Sequence, residues 1–158
     1  MADDFQSFLV VFRGEGAASA RASADSWREQ GKIDATQYAL MISHIERRSG
    51  NIEASISIIN KAVLEGGEVA PLSISLAEDY IHLQNFHAAV DCCNKAIRDS
   101  NEAIACRFLS SALLLKSYAL SKLGETEIAE TILEILRPDL NLFIDGKLET
   151  PKTLIARK

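Results

Sequence analysis

Three histidines and three cysteines are the side chains of this 158-residue chain best suited to nucleophilic or metal chemistry: His44, His82, His87, Cys92, Cys93 and Cys106. His87 and Asp91 stand four apart, about one helical turn, and could share a helix face, with Cys92 following as a candidate nucleophile of a Cys–His pair. No neighbouring group is placed to orient such a base. Metal ligands need convergent spacing such as Cys-x-x-Cys or His-Glu-x-x-His, and neither occurs. Cys92 and Cys93 are adjacent on a predicted helix, where their side chains point about 100° apart. With Cys106 they make an odd set, unlike a disulfide framework. All three read as small core-filling or half-exposed thiols. Gly14-Glu15-Gly16 is a lone Gly-x-Gly that precedes no lysine, so it makes no phosphate loop. The residues therefore point to a chain that is no enzyme, with no catalytic set, no metal and no cofactor.

Composition narrows the partners. Seventeen lysines and arginines against 22 acidic residues give a net charge of −5, which disfavours non-specific attraction to nucleic acid. The start, Met1-Ala-Asp-Asp, is acidic where a secretory signal needs positive charge, and the apolar run Phe8–Phe12 is too short for a signal core. Nothing approaches a membrane span, so no membrane partner is expected and the cytoplasm is the default location. Aromatic residues make up 6% and there are three prolines, which suits long helices better than a sheet.

The elements that must carry these residues follow from helix punctuation. Helices are expected over Asp3–Arg13, ended by Gly14-Glu15-Gly16, and over Ala17–Gln30, ended by Gly31. Asp34 with Gln37 has the spacing of a capping box and opens a helix to about Arg48. Ser49-Gly50 breaks it, and Asn51 is expected to cap Ile52–Leu64. After the Glu65–Glu68 loop, Pro71 suits the first position of a helix reaching His82 or Leu83. Gln84-Asn85 turns the chain into Phe86–Arg98, Asp99–Asn101 makes a polar turn, and helices over Glu102–Leu123 and Thr126–Leu136 follow. Ser43, Gly50, Ala54 and Ala62 recur as Ala77, Gln84, Ala88 and Ala96 at one constant offset. That offset, roughly 34 residues, is the period of helix–turn–helix repeats, which bury their apolar faces only by stacking on neighbours.

The segment from Pro71 to Ile97 resembles a tetratricopeptide repeat. Leu76-Ala77, Tyr80, Phe86, Ala89 and Ala96-Ile97 stand at the family's packing positions. The upstream unit matches through Ile42-Ser43, Gly50, Ile52, Ser55, Ile59 and Ala62-Val63, with Glu46 in place of the tyrosine. The downstream unit matches from Ala119-Leu120 through Gly124, Ala129, Leu133, Leu136 and Pro138. The interval from Gln84 to Gly124 exceeds the period by about six residues. That insertion falls in the preceding loop or in Glu102–Leu115. Three repeats thus cover about residues 36–138. Gly16 lies one such period before Gly50, but Arg21 and Asp25 fall where packing needs small and apolar residues, so residues 1–33 are a degenerate or capping pair. The resemblance implies an all-α fold, a right-handed superhelix of helical hairpins in a single domain. The same packing logic holds for any alpha-solenoid.

In that family the first helices line a concave groove that takes an extended peptide or a partner helix. The positions implied here are Leu40, His44, Arg47 and Arg48, then Ile74, Glu78, Ile81 and His82, then Leu114, Tyr118, Ser121 and Lys122. One row reads Arg48, His82, Lys122, a basic stripe beside the apolar Leu40, Ile74 and Leu114, which would suit an acidic partner. Leu40 and His44 stand where chaperone-adaptor relatives carry a lysine and an asparagine, so a C-terminal carboxylate clamp is not expected. The implied job is a non-catalytic protein-interaction module; the alternative is a dedicated chaperone or neutralising partner of one client, such as a secreted effector or a toxin.

The C-terminal segment differs. Leu142-Phe143-Ile144 and Lys147-Leu148-Glu149 flank Asp145-Gly146, a strong hairpin signal, and Thr150-Pro151 should start a short helix to Arg157. A lone hairpin is marginal in water. Residues 139–158 therefore either cap the last repeat or pair with a second copy to make a homodimer.

Overall fold

A computed structural model describes residues 3–99 and 102–156, and within them the side chains of residues 4–99 and 108–155. Ser100, Asn101 and Arg157, and the side chain of Cys106, lie outside that description. The chain is predominantly helical with one small antiparallel hairpin, and it divides into two compact units, Met1–Glu68 and Val69–Lys158.

The first unit holds α1 (Asp3–Glu15), α2 (Ala17–Glu29), α3 (Ala35–Arg48) and α4 (Ile52–Leu64). Gly14 and Glu15 stay helical, and the break is Gly16 alone, whose φ of 91° a side chain rarely tolerates. The Asp34 capping box forms as its spacing requires: the Gln37 amide donates to Asp34 Oδ1 at 2.8 Å and the Asp34 amide to Gln37 Oε1 at 2.9 Å. Asn51 stands at the N-cap of α4 but makes no cap bond there; its side-chain amide donates to Glu46 Oε2 at 2.9 Å. Helices α1 and α2 pack together, and both meet α3, which in turn packs on α4. Ala20 and Ala24, both wholly buried, let α2 approach closely, and Phe8, Met41, Ile42 and Ile45 fill the core beside them.

Arg21 and Asp25 sit in this packing layer as polar couples. Arg21 Nη2 lies 2.6 Å from Glu46 Oε1, and Tyr38 donates its hydroxyl proton to Asp25 Oδ1 at 2.6 Å. Where the Pro71–Ile97 hairpin has the small Ala89 and Tyr80, the α2–α3 junction has an arginine and a glutamate.

The second unit holds α5 (Val69–His82), α6 (Phe86–Asp99), α7 (Glu102–Lys122), α8 (Thr126–Ile135), β1 (Leu142–Ile144), β2 (Lys147–Glu149) and α9 (Pro151–Ala156). Helix α5 begins two residues before Pro71, which still falls in the first turn, where no intrahelical partner awaits its missing N–H. Helix α6 lies against α5 and α7, presenting Ala89, Cys93 and Ala96, all fully buried, at helical spacing. Helix α7 also packs on α5 and on α8. The hairpin pairs Leu142 with Glu149, Phe143 with Leu148 and Ile144 with Lys147, across a turn in which Asp145 and Gly146 take φ of 49° and 78°. Strand β1 rests on α7 and α9 on α8, with Ile144 2% exposed in the unit's core.

Five helices close on a left-handed residue: besides Gly31 and Gly66, which follow α2 and α4, three recur at matching places in the hairpins. The amides of Asn51, Asn85 and Glu125 each reach back five residues, to the carbonyls of Glu46, Tyr80 and Leu120, around Gly50, Gln84 and Gly124. Two of these are glycine, whereas Gln84 holds φ of 58° with a side chain. Gln84→Gly should therefore stabilise the second unit by about 0.5–1 kcal/mol, the relief of left-handed strain less the added chain entropy. Urea denaturation checks it, and an unchanged or lower midpoint would contradict it.

Candidate partner-binding surfaces

In the first unit the expected groove positions lie on α3. Leu40 and His44 are half-buried, Arg47 is 8% exposed and Arg48 is open. His44 is covered by α1. Its ring stands edge-on to Phe5, Phe8 and Phe12, with centroids 5.8, 5.9 and 5.4 Å away. Those phenylalanines recur at i, i+3 and i+7, a spacing that puts them on one helix face. Burial pushes the imidazole down to about 4, and the charges of Arg47, Arg48 and Arg13 push the same way. Arg13 was not among the anticipated site residues. It stands in the last turn of α1, as Arg47 and Arg48 stand in the last turn of α3. Cations there complement the helix C-termini and form a positive locus on an acidic chain. Among the described residues Arg13 and Arg48 carry no ion pair, and both are exposed.

In the second unit Ile74, Ile81, Leu114 and Tyr118 share one apolar cluster with Ile144 of β1 and are between 0% and 8% exposed. Their apolar groups complete the core of the unit instead of forming an open row. Glu78 and His82 are half-buried, and Ser121 and Lys122 are exposed. His82 Nδ1 faces Asp145 Oδ1 of the hairpin turn at 3.5 Å, an ion pair whenever the imidazole is protonated. Lys122 Nζ lies 5.4 Å from the centroid of the Tyr118 ring. Of the expected basic row, then, Arg48 belongs to the first unit, while His82 and Lys122 sit in the second, each beside a partner group of its own.

The thiols are the reverse of activated. Burial is the main cause that pushes Cys92 up to about 11 and Cys93 up to about 12, which keeps both protonated at neutral pH. His87, one turn before Asp91, is exposed. Among the described residues no three His, Cys, Asp or Glu side chains group as metal ligands do, and no helix is long and apolar enough to cross a membrane.

No protein-family model matches the chain, and no curated protein or solved structure matches it significantly.

Proposed function

We propose that the chain is a non-catalytic protein-interaction module of the tetratricopeptide type, which takes an acidic peptide or partner helix on its first helices. One observation carries the reading: in each unit successive first helices touch, α1 with α3 and α5 with α7, while the intervening second helix packs against the later one. Hairpins stacked this way present a continuous surface and place no convergent reactive groups. The exposed Arg13 and Arg48 in the first unit, and Lys122 at the end of α7 in the second, each supply positive charge that would steer a carboxylate-rich segment.

Affinity capture from the native cell with the wild-type chain and with Arg48→Glu/Lys122→Glu is the test. The wild type should hold a partner in stoichiometric amount, and the double reversal should lose it with the melting temperature nearly unchanged, since both side chains are exposed. One dominant client would narrow the reading to a dedicated chaperone or neutralising partner. Capture that survives the reversal would place the site on another surface.

A further inference from the structure

Helix α8 carries no cation. Its buried stripe, Ala129 and Leu133 with Leu136 just beyond, is 2%, 4% and 9% exposed and faces the core. At about 100° per residue, the opposite side divides into two flanks. One is apolar: Ile128 and Ile135 are 51% and 72% exposed and two turns apart, with the partly buried Ile132 between them and the core. The other is acidic, with Glu127 and Glu134 both exposed. Thr131 lies between the flanks with its hydroxyl already donated to the Glu127 carbonyl at 2.9 Å, so it can be covered at little cost.

The same side of the preceding second helix, α6, is polar where it is exposed, at His87, Asp91 and Lys95, so the isoleucines of α8 are a departure from it. Helix α8 is met by α9, whose six residues leave Ile128 and Ile135 open. An exposed apolar edge bordered by carboxylates fits a helix with the complementary pattern: leucine-like residues on one stripe and lysine or arginine beside it.

We propose that the outer side of α8 is a docking site for one basic amphipathic helix of a partner protein. Its apolar stripe covers Ile128 and Ile135, and its cations stand over Glu127 and Glu134. The carboxylates set the sign of the partner, since they repel nucleic acid and anionic lipid surfaces alike. This site is independent of the cationic residues on α1, α3 and α7 and selects a partner of opposite charge.

The probe is a synthetic amphipathic helix of about 18 residues, long enough to be partly helical alone, with leucine on one stripe and lysine flanking it. Its binding to the full chain is followed by fluorescence anisotropy at low and physiological salt, with amide NMR to locate it. Saturable binding should perturb α8 amides and weaken tenfold or more in both Glu127→Lys/Glu134→Lys and Ile128→Ser/Ile135→Ser. All four positions are exposed, so the melting temperature of each variant should match the wild type. Arg48→Glu/Lys122→Glu should bind the probe as well as the wild type does, which separates this site from the one proposed above. Equal binding by all variants, equal binding of a glutamate-for-lysine peptide, or perturbations away from α8 would overturn the proposal. So would self-association of the wild type that the α8 variants abolish, because the edge would then belong to a second copy.

Discussion

Ile144→Ala is expected to destabilise the second unit by about 2–4 kcal/mol, the cost of emptying a buried aliphatic site. Ile144 is 2% exposed and is the point at which the hairpin enters a cluster otherwise made by α5 to α8. Leu140, Leu142 and Leu154 pack around the same cluster without being fully buried, so each should cost less. Phe143, on the opposite face of the strand and 52% exposed, is the control, and Phe143→Ala should change stability by less than about 1 kcal/mol. Trp27, the single tryptophan, lies in the first unit and reports that unit's unfolding. Amide exchange in α7 reports the second. Exchange in α7 should accelerate in Ile144→Ala, and an unchanged protection pattern would mean that the hairpin is not part of the core. Deleting residues 140–158 is the stronger form: it should leave the α5–α8 cluster open and make the chain aggregate.

Acid should unlock the first unit through His44. An unfolded histidine titrates near 6.5, whereas this ring is held down to about 4 by burial, with the arginines adding to the effect. Between those values the unfolded chain binds a proton that the folded unit does not, so stability is whole above pH 6.5 and declines as pH falls toward 4. A shift of that size is worth about 3 kcal/mol at full burial, and the ring's residual exposure reduces the expectation to about 2 kcal/mol. Carboxylates titrate near the bottom of the same window, so the informative quantity is the difference between wild type and His44→Gln. Denaturation followed by Trp27 at pH 7 and pH 4.5 should show the wild type losing more stability than the variant. Equal losses would mean that the ring protonates without disturbing Phe5, Phe8 and Phe12.

Most helix boundaries were legible because they are set by local chemistry. The capping box at Asp34, the left-handed closures at Gly50, Gln84 and Gly124, and the Asp145-Gly146 turn each depend on residues within about five positions of one another. Asn51 is the exception that explains itself: a longer reach, to Glu46, took the side chain that a local cap would have used. Burial was harder to read. The three phenylalanines of α1 announce an apolar face, yet nothing in their spacing says that it closes over His44, two helices further along the chain. Arg21 and Asp25 looked like packing faults because their partners, Glu46 and Tyr38, stand 25 and 13 residues further along. Ile74, Ile81, Leu114 and Tyr118 are apolar enough for either a groove or a core, and in the structure they are core, in the cluster that Ile144 of the hairpin joins.

The Arg21–Glu46 couple bears on how the chain avoids misassembly. Hairpins built to one pattern can exchange neighbours while they fold, because a second helix lined with small residues suits any first helix carrying a tyrosine. Helix α2 does not offer that surface. Its guanidinium would be buried against a phenol if α2 met α5, where Tyr80 stands at the position Glu46 occupies in α3, and the Glu46 carboxylate would lose its cation if α3 met α6. Leaving one member of a partly buried charge pair unmatched is costly, whereas the matched pair adds little stability of its own. The salt bridge is thus expected to act as an address. Swapping the charges, Arg21→Glu with Glu46→Arg, should preserve correct assembly, and either change alone should enrich domain-swapped or misordered species during refolding.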